Sequence, residues 1–350
     1  MSVELPPGDP VHGLPTAQGG SALSGSLRAT AEDFVVEEDL GYVPSGAGEH
    51  VFITVRKTGR NTHEVARALA RLAGVPQVAV GYAGLKDRQA VTTQSFTVHL
   101  PGRDIPDFSP LIEASLQVLD VQRHHRKIRR GGLRGNRFVI RINGIGGDRA
   151  LAEHRLETIR ACGVPNYFGS QRFGRDGNNL RQVDDLFHAR GRRPNRELRG
   201  LLLSAARAHL FNQVLAARVS RGTWRTAGVG DVIMLAGSGR QFAFDPDDDT
   251  IPTRIDAMDL HSSGPLCGRP GRSLRPSDEV LVFEQAVLAA WRDWSDGLVR
   301  FGLDEDRRAL RLVVDGLTWC WADDALELRF GLTAGAYATA VLRELVSVSE

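Results

Sequence analysis

The 350-residue sequence predicts an α+β fold built on a mixed, largely antiparallel sheet. Three observations predict it. Segments with two-residue alternation recur, as in EHVFITVRK (49–57), SFTVHL (95–100) and RFVIRI (137–142). Helical segments stand among them without the regular strand–helix–strand spacing of a parallel sheet. A long middle stretch, 164–305, then changes character and reads as a domain of its own inside the first.

Taken in order, Phe34 to Glu38 is apolar and acidic and reads as a strand, and 49–57 follows with Val51, Ile53 and Val55 on one face. Asn61 opens a helix, with Glu64 three residues on as its capping-box partner. Val65, Leu69 and Leu72 line one face of that helix, and Gly74 with Pro76 ends it. A short strand, Val78 to Tyr82, precedes the loop AGLKDRQA (83–90). The next strand, Ser95 to Leu100, sets Phe96, Val98 and Leu100 on one side. Lys86, Asp87 and Arg88 are thereby held between two strands, where a rigid scaffold can aim them at a ligand.

Arg137 to Ile142 alternates again, with Phe138, Ile140 and Ile142 together, and Asp148 caps a helix through Ile159. The middle opens with a loop rich in glycine, asparagine and aromatics, PNYFGSQRFGRDGNN (165–179). A long helix (about 198–219) and a Gly/Pro/Asp-rich stretch (about 237–277) follow. The chain returns to a strand at Ala325 to Phe330 and to a helix from about Ala336.

Apolar residues make up 42% and charged residues 25%, which excludes a disordered or collagen-like chain. The opening MSVELPPGDPVHG lacks a basic region followed by an apolar one, so neither a signal peptide nor a membrane anchor is expected, and the cytoplasm is the default. Cys162, Cys267 and Cys320 are far apart and odd in number, which suits neither a disulfide framework nor a paired-cysteine metal site. The net charge of +2 hides a polarised distribution. RHHRKIRRGGLRGNR (123–137) carries Arg123, Arg126, Lys127, Arg129, Arg130, Arg134 and Arg137 without an acid. ARGRRPNRELR (189–199) is relieved only by Glu197, while acids gather at Asp245 and Asp247 to Asp249. One basic run is usually a solvated face; two such runs point to a polyanion, and so to nucleic acid.

Several chemistries lack their parts. Gly228 to Gly230 is not followed by the lysine of a phosphate cradle, and no GxGxxG joins a strand to a helix. His124 and His125 are adjacent rather than four apart, and no GxSxG elbow exists. What remains is Asp87. Flanking cations favour the charged form of a carboxylate, and an oriented carboxylate can serve as nucleophile or general base. Taken alone, the signal is weak, since Lys-Asp-Arg loops are common, and the same residues read better as charges on a surface turn.

At this loop the sequence resembles a known family. GLKDRQAVTTQ (84–94) matches the GxKDxxAxTxQ signature of the TruD family of tRNA pseudouridine synthases. ATAEDFVVEEDLGY (29–42), GEHVFITVRKTGRNT (48–62), HHRKIRRGGLRGNRF (124–138), GVPNYFGSQRFG (163–174), LSAARAHLFNQVLAAR (203–218) and LTAGAYATAVLREL (332–345) resemble the family's other blocks, in its order. The resemblance implies a pseudouridine-synthase catalytic domain at 1–163 and 306–350, split by an inserted α/β domain at 164–305. It implies isomerisation of uridine to pseudouridine in tRNA, at uridine 13 of the dihydrouridine arm, on a nucleotide flipped from its stack, with neither metal nor cofactor.

Residue by residue, the resemblance makes Asp87 the nucleophile. Phe34 (in EDF) and Asn136 and Phe138 (in GNxF) line the uridine pocket. Tyr337 stands where relatives often carry phenylalanine, which keeps an aromatic face and adds a hydroxyl. Arg28 matches a basic position of the family and is the candidate partner of the Asp87 carboxylate, with Lys86 as its competitor. Arg123, Arg126, Lys127, Arg129, Arg130 and Arg134 supply charge for the RNA backbone. Without the family, Phe34, Phe138 and Tyr337 read as core aromatics, Asn136 as a turn residue, and Arg28 and Lys86 as solvated. A non-catalytic RNA-binding or RNA-folding protein with the same basic surface is the alternative, and a protein-interaction scaffold is a third class. Protein partners are not specified.

Overall fold

In the computed structural model the described residues are 8–349; the first seven, part of the proline-rich opening, lie outside them. Strands β1 (Leu23–Leu27), β2 (Phe34–Asp39) and β3 (His50–Thr58) lead into helix α1 (Thr62–Leu72). Strands β4 (Val80–Tyr82), β5 (Val91–His99), β6 (Leu116–His124) and β7 (Gly135–Gly147) follow, and then α2 (Arg149–Cys162). Next come β8 (Val164–Pro165), α3 (Asn178–Phe187), α4 (Arg196–Ser220), β9 (Val232–Leu235) and β10 (Gln241–Ala243). Helix α5 (Thr250–Asp256), β11 (Leu260–Leu266), α6 (Asp278–Leu288) and α7 (Arg292–Arg300) complete the middle. The chain closes with β12 (Asp306–Ala309), β13 (Arg311–Leu312), β14 (Asp315–Ala322), β15 (Ala325–Thr333), α8 (Ala338–Leu342) and β16 (Val346–Ser349).

By compactness the chain falls into two units. One comprises Leu23–Arg149, Val314–Gly335 and the residues from Val346 on; the other comprises the residues up to Ala22, Ala150–Val313 and Ala336–Leu345.

The first unit carries one mixed sheet in the order β14-β15-β7-β2-β5-β3-β6, with β1 beside β7 and β16, and β4 beside β5. Only β2–β5 and β1–β16 run parallel. The expected alternation packs this sheet. Val51, Ile53 and Val55 of β3 and Phe96 and Val98 of β5 are fully buried against Val65, Ala66 and Leu69 of α1. Each such side chain contributes on the order of 1.5–3 kcal/mol by leaving water. Helix α1 starts where its cap demands, with the Asn61 backbone N–H donating to Glu64 Oε2 at 3.0 Å. Strand β7 runs between β15 and β2, pairing Phe138 with Phe330 on one side and with Val36 on the other. Gly135 begins it because a Cβ there would stand 2.3 Å from the Leu332 carbonyl oxygen.

In the second unit, α4 buries Leu202, Ala205, Ala206 and Phe211 against α3, α7 and β11. A four-stranded antiparallel sheet, β10-β9-β11-β12, lies in the same unit. Three local differences from the sequence reading stand out. Residues 77–79 form a 3₁₀ turn with Val78 exposed, so the strand begins at Val80. Between the loop at 165–179 and the long helix, a stretch the sequence reading left unassigned holds α3, whose Leu180, Val183 and Phe187 join the core at helical spacing. The last helix begins at Ala338, after the extended Tyr337. Among the described residues no helix is long and apolar enough to cross a membrane.

Candidate active site

The Asp87 loop joins β4 to β5, where β5 begins its parallel pairing with β2 (Val35 opposite Val91). Its backbone is tied on several sides. Gln94 Nε2 donates to the Gly84 carbonyl at 2.7 Å, and the Lys86 N–H donates to Thr62 Oγ1 at 3.0 Å. Thr62 Oγ1 in turn donates to Gln94 Oε1 at 3.0 Å, and both side chains are buried. Arg88 Nε donates to the Gly59 carbonyl at 3.0 Å, and the Gly131 N–H donates to the Ala83 carbonyl at 2.8 Å. From beneath, Lys57 Nζ reaches the carbonyls of Asp87 (3.2 Å) and Arg60 (2.7 Å). Lys57 is 1% exposed, and burial pushes its ammonium down to about 8, with Asp87 acting in the opposite sense.

Above this frame the Asp87 side chain remains accessible, at 40% exposure, and its Oδ2 lies 3.0 Å from Arg28 Nη2. Arg28 follows β1 directly and takes φ 61°, a left-handed conformation uncommon for a residue with a Cβ. From there its guanidinium also lies over the Phe34 ring, 4.3 Å from the centroid. Phe34 meets Phe138 edge-to-face at 6.2 Å, and Phe138 stacks on Phe330 at 5.4 Å. Phe34 and Phe138 are buried, at 4% and 8%. Phe34 therefore presents its face to Arg28.

Lys86 is engaged elsewhere. Its Nζ lies 3.0 Å from Glu38 Oε1 and 2.8 Å from Asn136 Oδ1, joining two residues that stand opposite each other in the β2–β7 register. The pair is buried, with side-chain exposures of 7% for Lys86 and 1% for Glu38. Between the two cations weighed for Asp87, Arg28 is the one that holds the carboxylate. Lys86 aligns Asn136.

The basic segment divides. The Arg123 guanidinium donates to the carbonyls of Leu100 and Arg103, Lys127 Nζ to that of Val78, and Arg130 Nη2 to Tyr82 Oη at 2.6 Å. Arg134 pairs with Asp39 at 2.9 Å. The side chains of Arg126 and Arg129 make no hydrogen bond or ion pair among the described residues and are exposed. Tyr337 belongs to the second unit, where its hydroxyl accepts from Arg172 Nε at 2.9 Å and its ring meets Phe168 edge-to-face at 6.1 Å.

Sequence reasoning missed Glu38, Thr62, Gln94 and above all Lys57. Two signals pointed to Lys57. It shares the inward parity of Val51, Ile53 and Val55 on β3, where a charge is out of place unless partnered. The chain also has only three lysines, Lys57, Lys86 and Lys127, against its many arginines, and two of them sit in this network.

The family model for tRNA pseudouridine synthase D (TruD) matches residues 16–191 and 178–345. A tRNA pseudouridine synthase D of Methylococcus capsulatus is 49% identical over 334 residues, covering 95% of this chain and 94% of that protein. One from Xanthomonas campestris pv. campestris is 46% identical over 349 residues, covering 96% and 95%. The crystal structure of a Methanosarcina mazei protein, provisionally described as tRNA pseudouridine synthase D (TruD), superposes with a TM-score of 0.71 at 21% identity. It covers 94% of this chain and 95% of its own, and at that identity it bears on the fold.

Proposed function

The chain belongs to the tRNA pseudouridine synthase D (TruD) family, and from that premise we propose a site and a mechanism for it. It is a tRNA pseudouridine synthase, an isomerase acting on tRNA. The finer reading is that Asp87 is the nucleophile and that uridine 13 of the dihydrouridine arm is its target. The C1′–N1 bond breaks, a C1′–C5 bond forms, a proton leaves C5 and one is gained at N1. Composition is conserved, so the reaction needs orientation rather than an external oxidant or reductant.

The observation that carries this reading is the Arg28–Asp87 contact at 3.0 Å on a loop whose backbone is tied from several sides. Orientation of a reacting group is worth several kcal/mol of barrier, and a tied loop prevents the carboxylate from wandering. The target nucleotide leaves its stack, which costs a few kcal/mol. Arg28 meets the base or ribose at the carboxylate, Phe34 and Phe138 floor the site, and Asn136, fixed by Lys86, presents its amide. The exposed arginines of 123–134 meet the phosphates. Functionally we divide the chain into a catalytic part, 1–163 with 306–350, and an inserted part, 164–305.

Incubating the full-length protein with an unmodified tRNA transcript and mapping pseudouridine tests the target. Product is expected at position 13 and is lost when that uridine is replaced by cytidine. Product confined to another uridine contradicts it.

A further inference from the structure

In the first unit, a cavity of about 660 Å³ opens beside the basic segment, lined by Tyr42, His50, His125, Arg126, Lys127 and Arg129. Neither Asp87 nor Phe34, Asn136 or Phe138 contributes to it. Its volume lies within the roughly 300–1,000 Å³ of pockets that enclose small ligands. Its chemistry is one-sided: three cations and three rings, with no carboxylate among these lining residues. Glu49, which precedes the adjoining strand β3, pairs with His99 at 3.4 Å.

Two independent features mark the cavity as a ligand site rather than a charged surface. First, four cations of the 123–134 segment are committed to protein partners, namely Arg123, Lys127, Arg130 and Arg134. Arg126 and Arg129, whose side chains have no hydrogen-bond or ion-pair partner among the described residues, both line this one cavity. Second, Tyr42 brings an aromatic ring to the lining. Its ring lies parallel to the His124 imidazole, 9° between planes and 5.6 Å between centroids, with the Arg126 guanidinium 5.2 Å from its centre. Burial lowers the proton affinity of His50 and His124, so these rings act as apolar plates and hydrogen-bonding groups rather than added cations. Gly48 lets the chain pass, since at φ 122° a Cβ would stand 2.5 Å from the His124 carbonyl oxygen.

Resting on the reading of tRNA as substrate, we infer that this cavity is a second nucleotide subsite: Arg126 and Arg129 take a phosphate of the tRNA, and Tyr42 stacks a base of the same strand. It grips a nucleotide other than the reacting uridine and sets the register in which the substrate arrives.

The test is filter binding of an unmodified tRNA transcript to full-length protein carrying Asp87→Asn, over a series of salt concentrations. Adding Arg126→Gln with Arg129→Gln is expected to raise Kd at least tenfold and to lower the slope of log Kd against log salt by about 1.4–1.8. Adding Tyr42→Ala instead raises Kd about tenfold without altering that slope, while Tyr42→Phe stays within about twofold of the parent. Unchanged Kd in the double arginine variant overturns the subsite. A loss there with none in Tyr42→Ala also overturns it, leaving a phosphate patch. If the Asp87→Asn parent binds no tRNA at all, the substrate reading falls and the subsite falls with it. If the parent binds and its variants bind alike, the subsite alone falls.

Discussion

Arg28 Nη2 and Asp87 Oδ2, 59 residues apart in the chain, meet at 3.0 Å, and Arg28 reaches that position with φ 61°. The pair is only partly buried, at 25% and 40% side-chain exposure, so it contributes about 0–1 kcal/mol to stability. In the mechanism we propose, its value lies in aiming the carboxylate.

Arg28→Gly separates these roles. Glycine accepts the left-handed backbone without strain, so the melting temperature should hold or rise slightly. Turnover at saturating tRNA should fall by about 100-fold or more, because the Arg28 contact that orients the carboxylate is then lost. Single-turnover kinetics beside a thermal melt checks both halves.

Lys57 acts one layer down. Lys57→Met leaves the Asp87 and Arg60 carbonyls without their shared donor and loosens the loop. We expect kcat to drop about 10- to 100-fold with KM for tRNA little changed, as for a misplaced reacting group. Steady-state kinetics over a range of tRNA concentrations separates this from a binding defect.

The Lys86–Glu38 pair is structural as well as positional. With exposures of 7% and 1%, removing one partner by Lys86→Met strands a buried carboxylate at a cost of about 3–5 kcal/mol. Glu38→Gln in the same protein should restore most of that loss. Denaturant titration of the two single variants and the double variant measures the coupling.

Acid should weaken the second unit. His209 sits among Trp291, Trp294 and Phe173, and burial holds its imidazole down to about 4. Burial and then the Arg311 charge hold His261 down to about 4 as well. Above the unfolded value near 6.5 both states are neutral and the full stability is present. Between about 6.5 and 4 only the unfolded chain takes up these protons, so stability falls as pH falls. By pH 5 each histidine should cost on the order of 2 kcal/mol. Urea unfolding followed by tryptophan fluorescence at pH 7.5 and pH 5 reads it, and His209→Leu should shallow the dependence.

Much of the sheet was legible because its strands alternate strongly. The β3, β5, β7 and β15 segments carry their inward faces in plain sight, and α1 carries its cap in Asn61 and Glu64. Strands β1 (LSGSL), β6 (LQVLDVQRH) and β14 (DGLTWCWA) were not read, being rich in small or polar residues or lying at the sheet's edge. Strand β1 owes its place to β7 and to β16 from the far end of the chain, a pairing no local pattern encodes. At the site, the signature singled out Asp87 and the resemblance put Arg28 ahead of Lys86 as its partner, but why Lys86 stands aside follows only from Glu38 and Asn136 facing each other across β2 and β7. Strand register, which no local pattern encodes, placed its ammonium there.

The most direct test of the central claim is Asp87→Asn assayed on unmodified tRNA, with binding and pseudouridine formation measured side by side. Asparagine keeps the shape and removes the nucleophilic charge. The account predicts tRNA binding close to the parent's and no detectable pseudouridine; turnover at the parent's rate would contradict it.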